Sequence, residues 1–142
     1  MLRLVEIHGN DRTAVCLDCS TRLRIELVLE RVRDGDTDPR CACGGILKSS
    51  VISFGQDMDR AALARANAAA RRADLFIAVG SSLTVIPASG LVPVAATSGR
   101  VVIVNGENTL MDEVADVVVR GSISVSLPQL GAGLSGEHAA AS

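Results

Sequence analysis

The stretch Asp74-Leu75-Phe76-Ile77-Ala78-Val79-Gly80-Ser81-Ser82-Leu83-Thr84-Val85-Ile86-Pro87 decides the fold. Leu75 to Val79 is an unbroken apolar run that stops at Gly80. A run with no polar alternation suits a strand buried on both faces, as in a parallel sheet. Gly80 lets the backbone turn tightly and approach a ligand with no Cβ in the way. Ser81 and Ser82 add hydroxyls at the carboxyl end of that strand, where open α/β sheets bind their ligands. Pro87 suits the first position of a following helix. Taken alone, the stretch reads equally well as a plain strand, a serine turn and a helix.

Outward from this strand the pattern repeats. Arg60 to Arg72 is rich in Ala, Arg and Leu and predicts a helix, with Asp57 and Asp59 as capping candidates. Ala88 to Ser98 predicts a helix kinked or broken at Pro93. Val101-Val102-Ile103-Val104 is a second buried strand, and Asn105-Gly106-Glu107-Asn108 is the turn at its end. Leu110 to Ala115 makes a helical turn, and Val117 to Val119 is a third strand before Gly121. Ser122 to Leu127 alternates and favours a strand, with a final helix left open. Strands interleaved with helices give an α/β fold with a parallel sheet and right-handed crossovers.

The first third of the chain is different. Met1 to Ile7 predicts a short strand running into the turn His8-Gly9-Asn10. Residues 22–33 predict a helix stopped by Asp34-Gly35-Asp36, although Ile25, Val28 and Val32 also suit a strand. Val51 to Gln56 predicts a short extended run with a turn at Gly55, and residues 131–142 predict a disordered tail containing His138.

The chain has 142 residues, enough for one domain with a real core, and a formal net charge of −2. No basic surface argues for nucleic acid. The apolar runs fall short of the roughly 20 residues a membrane span needs. Met1 to Glu6 has no signal-peptide layout, which predicts a cytoplasmic protein. Four cysteines in a reducing compartment read as metal ligands or free thiols rather than disulfides.

Those cysteines form two short pairs, Cys16-x2-Cys19 and Cys41-x-Cys43, with Gly44-Gly45 relieving crowding at the second. Two such pairs joined by a loop predict a four-thiolate tetrahedral zinc site. Iron on the same ligands is the alternative. With four thiolates the metal keeps no open position, so the site is structural. His8 reads either as a turn residue or as a general base, a role imidazole suits near neutral pH. Gly80-Ser81-Ser82 and Asn105-Gly106-Glu107 end neighbouring strands and predict a crevice of hydroxyl, amide and carboxylate groups; the alternative is two plain turns. G-x-x-x-x-G-K-[ST] does not occur, and the one G-x-G-x-x-G match, at residues 131–136, falls in the predicted tail and opens no helix after a predicted strand.

Taken in order, these segments resemble the sirtuins, NAD-dependent protein-lysine deacylases. Ile7-His8-Gly9-Asn10 resembles the family's catalytic-histidine motif, and the four cysteines followed by Gly44-Gly45-Ile46-Leu47-Lys48 resemble its zinc ribbon. Val51 to Gln56 resembles its V-x-F-G-E segment, with Gln56 for the acid. Gly80 to Ala88 resembles its G-T-S-L-x-V-x-P-A loop, with Ser81 for Thr, and Val104 to Glu107 resembles its ribose-contacting strand end. Ala115-Asp116 and Gly121 to Pro128 resemble its closing segment.

The resemblance implies a partial Rossmann-like parallel sheet with an inserted zinc ribbon. Residues 1–130 would be part of the catalytic domain, with the zinc insert at about 14–48 and the Rossmann-like half at about 50–130. It implies His8 as general base, and zinc on Cys16, Cys19, Cys41 and Cys43. Gly80, Ser81, Ser82, Asn105, Gly106, Glu107 and Ile123 would hold NAD. Ile52, Phe54, Gly55, Gln56, Leu83, Thr84 and Val85 would hold an acyl-lysine protein or peptide, which adds as a strand. The family's diphosphate loop, G-A-G-x-S, and its Gln-Asn-x-Asp motif do not precede His8 here. The implied protein is therefore the second half of a deacetylase core, inactive alone or completed by self-association or by a complementing N-terminal half. A non-catalytic zinc-containing peptide-binding module and a truncated gene product are the alternatives.

Overall fold

The structure, a computed structural model, describes residues 4–136. The chain divides into two compact units, Met1–Ala62 and Leu63–Ser142.

The first unit is built on an antiparallel three-stranded sheet in the order β2-β1-β3, with β1 at Thr13–Cys16, β2 at Arg22–Arg24 and β3 at Leu47–Ser49. Alternation along β1 turns Ala14 and Cys16 inward, and both are buried. Helix α1 covers Ile25–Arg33. The sequence predicts helix from residue 22, but Arg22–Arg24 is strand. Arg22 and Arg24 pair with Val15 and Thr13, and the Ile25 amide still donates to the Arg12 carbonyl. Non-local ladder bonds override a helical preference that depends on neighbours alone.

Helix α1 ends as Asp34-Gly35-Asp36 predicts. The Gly35 amide donates to Val32 and the Asp36 amide to Arg31, the paired bonds of a Schellman stop. The Arg31 guanidinium then grips Asp36 at 2.7 Å and the Arg40 carbonyl at 2.7 Å. The strand predicted over residues 1–7 is not found in its described part, 4–7, which has no ladder partner; residues 1–3 lie outside the described residues.

The second unit carries the parallel sheet, in the order β4-β5-β6. β4 is Leu75–Val79, β5 is Arg100–Asn105 and β6 is Val117–Arg120. Helix α2, Arg60–Ala70, precedes it, and the Asp59 carboxylate accepts the Ala61 amide at 2.8 Å as its cap. A 3-10 turn at Ala88–Gly90 leads into α3, Leu91–Ala96. Pro93 lies in the first turn of α3, where a missing N–H costs nothing, so it neither kinks nor breaks the helix. A second 3-10 turn covers Asp112–Val114.

Ile123 to Leu127 is helical, the start of α4 at Ile123–Gly136, with Ser122 just before it. The Ser122 carbonyl takes the amides of Val125 and Ser126 and so opens the first turn. The helix continues past residue 131, where the sequence predicts a disordered tail. Residues 137–142, including His138, lie outside the described residues. Among the described residues no helix is long and apolar enough to cross a membrane.

One face of the parallel sheet builds the core. Ala78, Val101 and Ile103 pack with Val92 and Ala95 of α3, and Leu83 joins them. The other face departs from the sequence expectation of strands buried on both sides. Leu75, Ile77, Val79 and Val117 are between 37% and 54% exposed, although Val104, the register partner of Val79, is fully buried.

Candidate functional site

The cysteines converge because β1 ends at Cys16 and the chain returns through an isolated bridge between Arg40 and Ile46. The Leu17 amide donates to Ile46 and the Cys41 amide to Gly45, which fixes the two knuckles against each other. All four Sγ atoms lie within 4.8 Å of one another. Cys16 and Cys43 are 3.5 Å apart, and Cys19 and Cys41 are 3.6 Å apart. Thiolates on a tetrahedral zinc sit ~3.8 Å apart, given Zn–S bonds of about 2.3 Å. The cluster therefore fits such an ion.

Electrostatics separate the four thiols. The Thr21 hydroxyl and amide, with help from Cys43 and Cys16, pull Cys19 down to about 6. The Gly45 amide lowers Cys43, but bonds with Cys19 and Cys16 and partial burial outweigh it and push that thiol up to about 12. One thiolate shared among thiol donors is easy to form, whereas further ones meet like charge.

His8 lies in the turn that precedes β1, exposed to solvent. Its carbonyl accepts the Ile52 amide at 2.9 Å, which ties two of the sequence-predicted site residues together. Gly9, at φ +69°, faces the Ser50 carbonyl, and any Cβ there would collide with that backbone. Buried Ser50 locks the same turn by donating to the Asn10 carbonyl at 2.9 Å. Ser53 to Gln56 closes a turn through the Gln56 amide and the Ser53 carbonyl. The Gln56 side chain is held by Lys48 at 3.0 Å and the Ser53 amide at 3.2 Å. Phe54 stands 97% exposed at its tip, beside exposed Gly55.

The carboxyl ends of β4, β5 and β6 bring the second group together. Gly80 extends the ladder by donating to Val104 at 3.0 Å, then turns at φ +59°. A Cβ on Gly80 would reach the Ile123 side chain at 3.1 Å, so the first turn of α4 closes over this glycine. Ser81 accepts the Leu83 amide at 3.2 Å, and the Ser82 and Thr84 hydroxyls are 2.9 Å apart. Leu83 turns its side chain into the core, whereas Thr84 and Val85 stay exposed. The Asn105 amide donates to the Glu107 carbonyl at 2.8 Å, curling the turn around Gly106. The Glu107 carboxylate is exposed. The two turns thus set exposed hydroxyl, amide and carboxylate groups at the carboxyl ends of neighbouring strands.

Three residues at this end escape the motif reading. The Asp112 carboxylate accepts the Thr109 hydroxyl at 2.7 Å and amide at 3.1 Å, and it pairs with Arg120. Bonds from Thr109 and the charge of Arg120 outweigh partial burial and hold Asp112 below the usual carboxylate range. Thr109-Leu110-Met111-Asp112 has the spacing of a capping box, a readable signal; Arg120 has none, because only the sheet brings it near.

The sequence profile described as Sir2 family matches residues 1–87. The chain is 43% identical over 134 residues to NAD-dependent protein deacetylase 2 of Streptomyces coelicolor, covering 93% of this chain and 56% of that protein. It is 41% identical over 128 residues to the NAD-dependent protein deacetylase of Sulfolobus acidocaldarius, covering 89% and 50%. It is similar to the solved structure of a Sir2 protein with a p53 peptide and NAD+, with a TM-score of 0.83 and 29% identity, over 93% of this chain and 55% of that one. A Sir2 protein bound to a propionylated peptide gives 0.82 and 30%, over 89% and 54%. The chain thus spans about half the length of the relatives it matches.

Proposed function

The chain belongs to the Sir2 family, and from that premise we propose that it supplies the zinc-bearing, ribose-holding half of an NAD-dependent protein-lysine deacetylase. The neighbouring carboxyl ends of β4 and β5 carry this reading, because they present Gly80, Asn105, Gly106 and Glu107 together. NAD, when bound, would supply a ribose that loses nicotinamide and whose oxygen takes the acyl group, freeing the lysine amine. Glu107 accepts the adenosine ribose hydroxyls there. Asn105 shapes the turn, and Ile123 lines the adenine side. His8 takes a proton from a ribose hydroxyl as general base. The exposed Phe54 turn meets the acyl-lysine peptide. Zinc on Cys16, Cys19, Cys41 and Cys43 holds the ribbon and takes no part in the chemistry. Four free thiols suit a reducing compartment such as the cytoplasm.

The open face of the parallel sheet supports a complementing half. Leu75, Ile77, Val79 and Val117 are each about half exposed, and covering them is worth roughly 1 kcal/mol apiece. Its supplier is the remainder of the family's domain, a span about as long as this chain.

The test is nicotinamide release from NAD and an acetyl-lysine peptide, followed by mass spectrometry. Release is expected when the chain is mixed with the missing half, and His8→Ala should abolish it. A mixed, zinc-loaded pair that binds NAD without releasing nicotinamide would overturn the reading. The exposed Phe54 also suits a peptide-binding module with no chemistry, for which peptide binding would be indifferent to NAD.

A further inference from the structure

The turn that leaves β5 does not end freely. Arg120, at the carboxyl end of β6, is the register partner of Asn105. One arm of its guanidinium donates to the Asn105 carbonyl at 3.4 Å, and the other pairs with Asp112. Asp112 in turn holds both the hydroxyl and the amide of Thr109. The chain from Asn105 through Glu107 and Thr109 to Asp112 is thereby closed into a ring, with Arg120 as its clasp. The Asp112 and Arg120 side chains are only 23% and 34% exposed, so water competes with them less than with an open surface pair. A carboxylate fully engaged by a guanidinium, a hydroxyl and an amide also fixes geometry better than a lone pair does.

Resting on the ribose reading of this strand end, we infer that Asp112 and Arg120 are positioning residues that set the Asn105-Gly106-Glu107 turn in its ribose-binding shape. Neither group touches the ligand. Arg120 fixes the carbonyl from which the turn departs, and Asp112 fixes the segment to which it returns. Gly106 between them has little intrinsic preference for one shape. Holding the turn in advance removes an ordering cost that the ligand would otherwise carry.

The probe is ADP-ribose, titrated into the zinc-loaded full chain and followed by the amide NMR shifts of Asn105, Gly106 and Glu107. Asp112→Asn and Arg120→Gln should each weaken binding about ten-fold, and the double variant should be no worse than either single. Arg120→Lys should recover part of the loss. Amide hydrogen exchange over residues 106–111 should quicken in both singles while the β4–β6 core is unchanged. Single variants that bind ADP-ribose as tightly as the parent, with quicker exchange, would make the ring merely structural and overturn the inference. A parent chain whose Asn105–Glu107 amides ignore ADP-ribose would overturn the ribose reading itself, and the inference with it. Should Asp112→Asn fail to fold, Arg120→Gln and Arg120→Lys carry the same comparison.

Discussion

The Ile52 amide donates to the His8 carbonyl at 2.9 Å, so the backbone that carries the imidazole is tied to the segment that carries Ile52. Gly9 makes the contact feasible, because its missing Cβ leaves room for the Ser50 carbonyl. Gly9→Ala should therefore destabilise the chain by roughly 2 kcal/mol or more, through a backbone collision added to an unfavourable φ. Urea denaturation would read it. An unchanged midpoint would mean the turn sits away from Ser50 in solution.

The thiol cluster should hold stoichiometric zinc as isolated, measured by elemental analysis. Cys16→Ser or Cys41→Ser should lower occupancy and unfold the first unit, since each removes a buried ligand. Chelation should do the same to the parent. Retained β-structure signal after complete metal loss would show that the ribbon stands on its own packing.

Asp112 gives a pH signature. Its carboxyl is held below 3.8 in the folded chain by Thr109 first and then by Arg120. A carboxyl depressed on folding stabilises the chain fully above its unfolded value, and that contribution is lost as pH falls through the folded value. The Tm gap between parent and Asp112→Asn should be widest at neutral pH and close in acid. A gap that widened on acidification would refute the assignment.

The open sheet face should respond to charge. Ile77→Lys places an ammonium on a position 47% exposed, so the isolated chain should keep its stability within about 0.5 kcal/mol. The same change should abolish association with a supplied complementing half, read by sedimentation. Undiminished association would place that partner elsewhere.

Glu107→Gln should weaken adenosine binding about ten-fold while leaving 2′,3′-dideoxyadenosine unaffected, because the neutral amide accepts hydroxyl protons less strongly. Equal losses for both ligands would mean that Glu107 acts on the fold and not on the ribose.

The local signals of this chain were unusually readable. Leu75–Val79, Arg100–Asn105 and Val117–Arg120 each announce a strand by β-branched and apolar runs bounded by turns. Asp59 announces the start of α2, and Asp34-Gly35-Asp36 the end of α1. The cysteine spacing foretold a cluster that the fold then closed to 3.5 Å. These features depend on a few adjacent residues, so composition and spacing suffice to read them.

What needed the tertiary structure were the relationships between distant residues. Arg22–Arg24 became strand because β1 lay ready to pair with it, and Ile123–Leu127 became helix although its alternation spoke for a strand. The sequence determined that Leu75, Ile77 and Val79 are apolar; only the three-stranded sheet decided that one face of them would be open. Likewise Asp112 and Arg120 are ordinary charges in the sequence, and become a clasp because parallel pairing sets Arg120 beside Asn105. Local propensity is a property of neighbouring residues, whereas burial, register and pairing are properties of whichever segments the chain brings together.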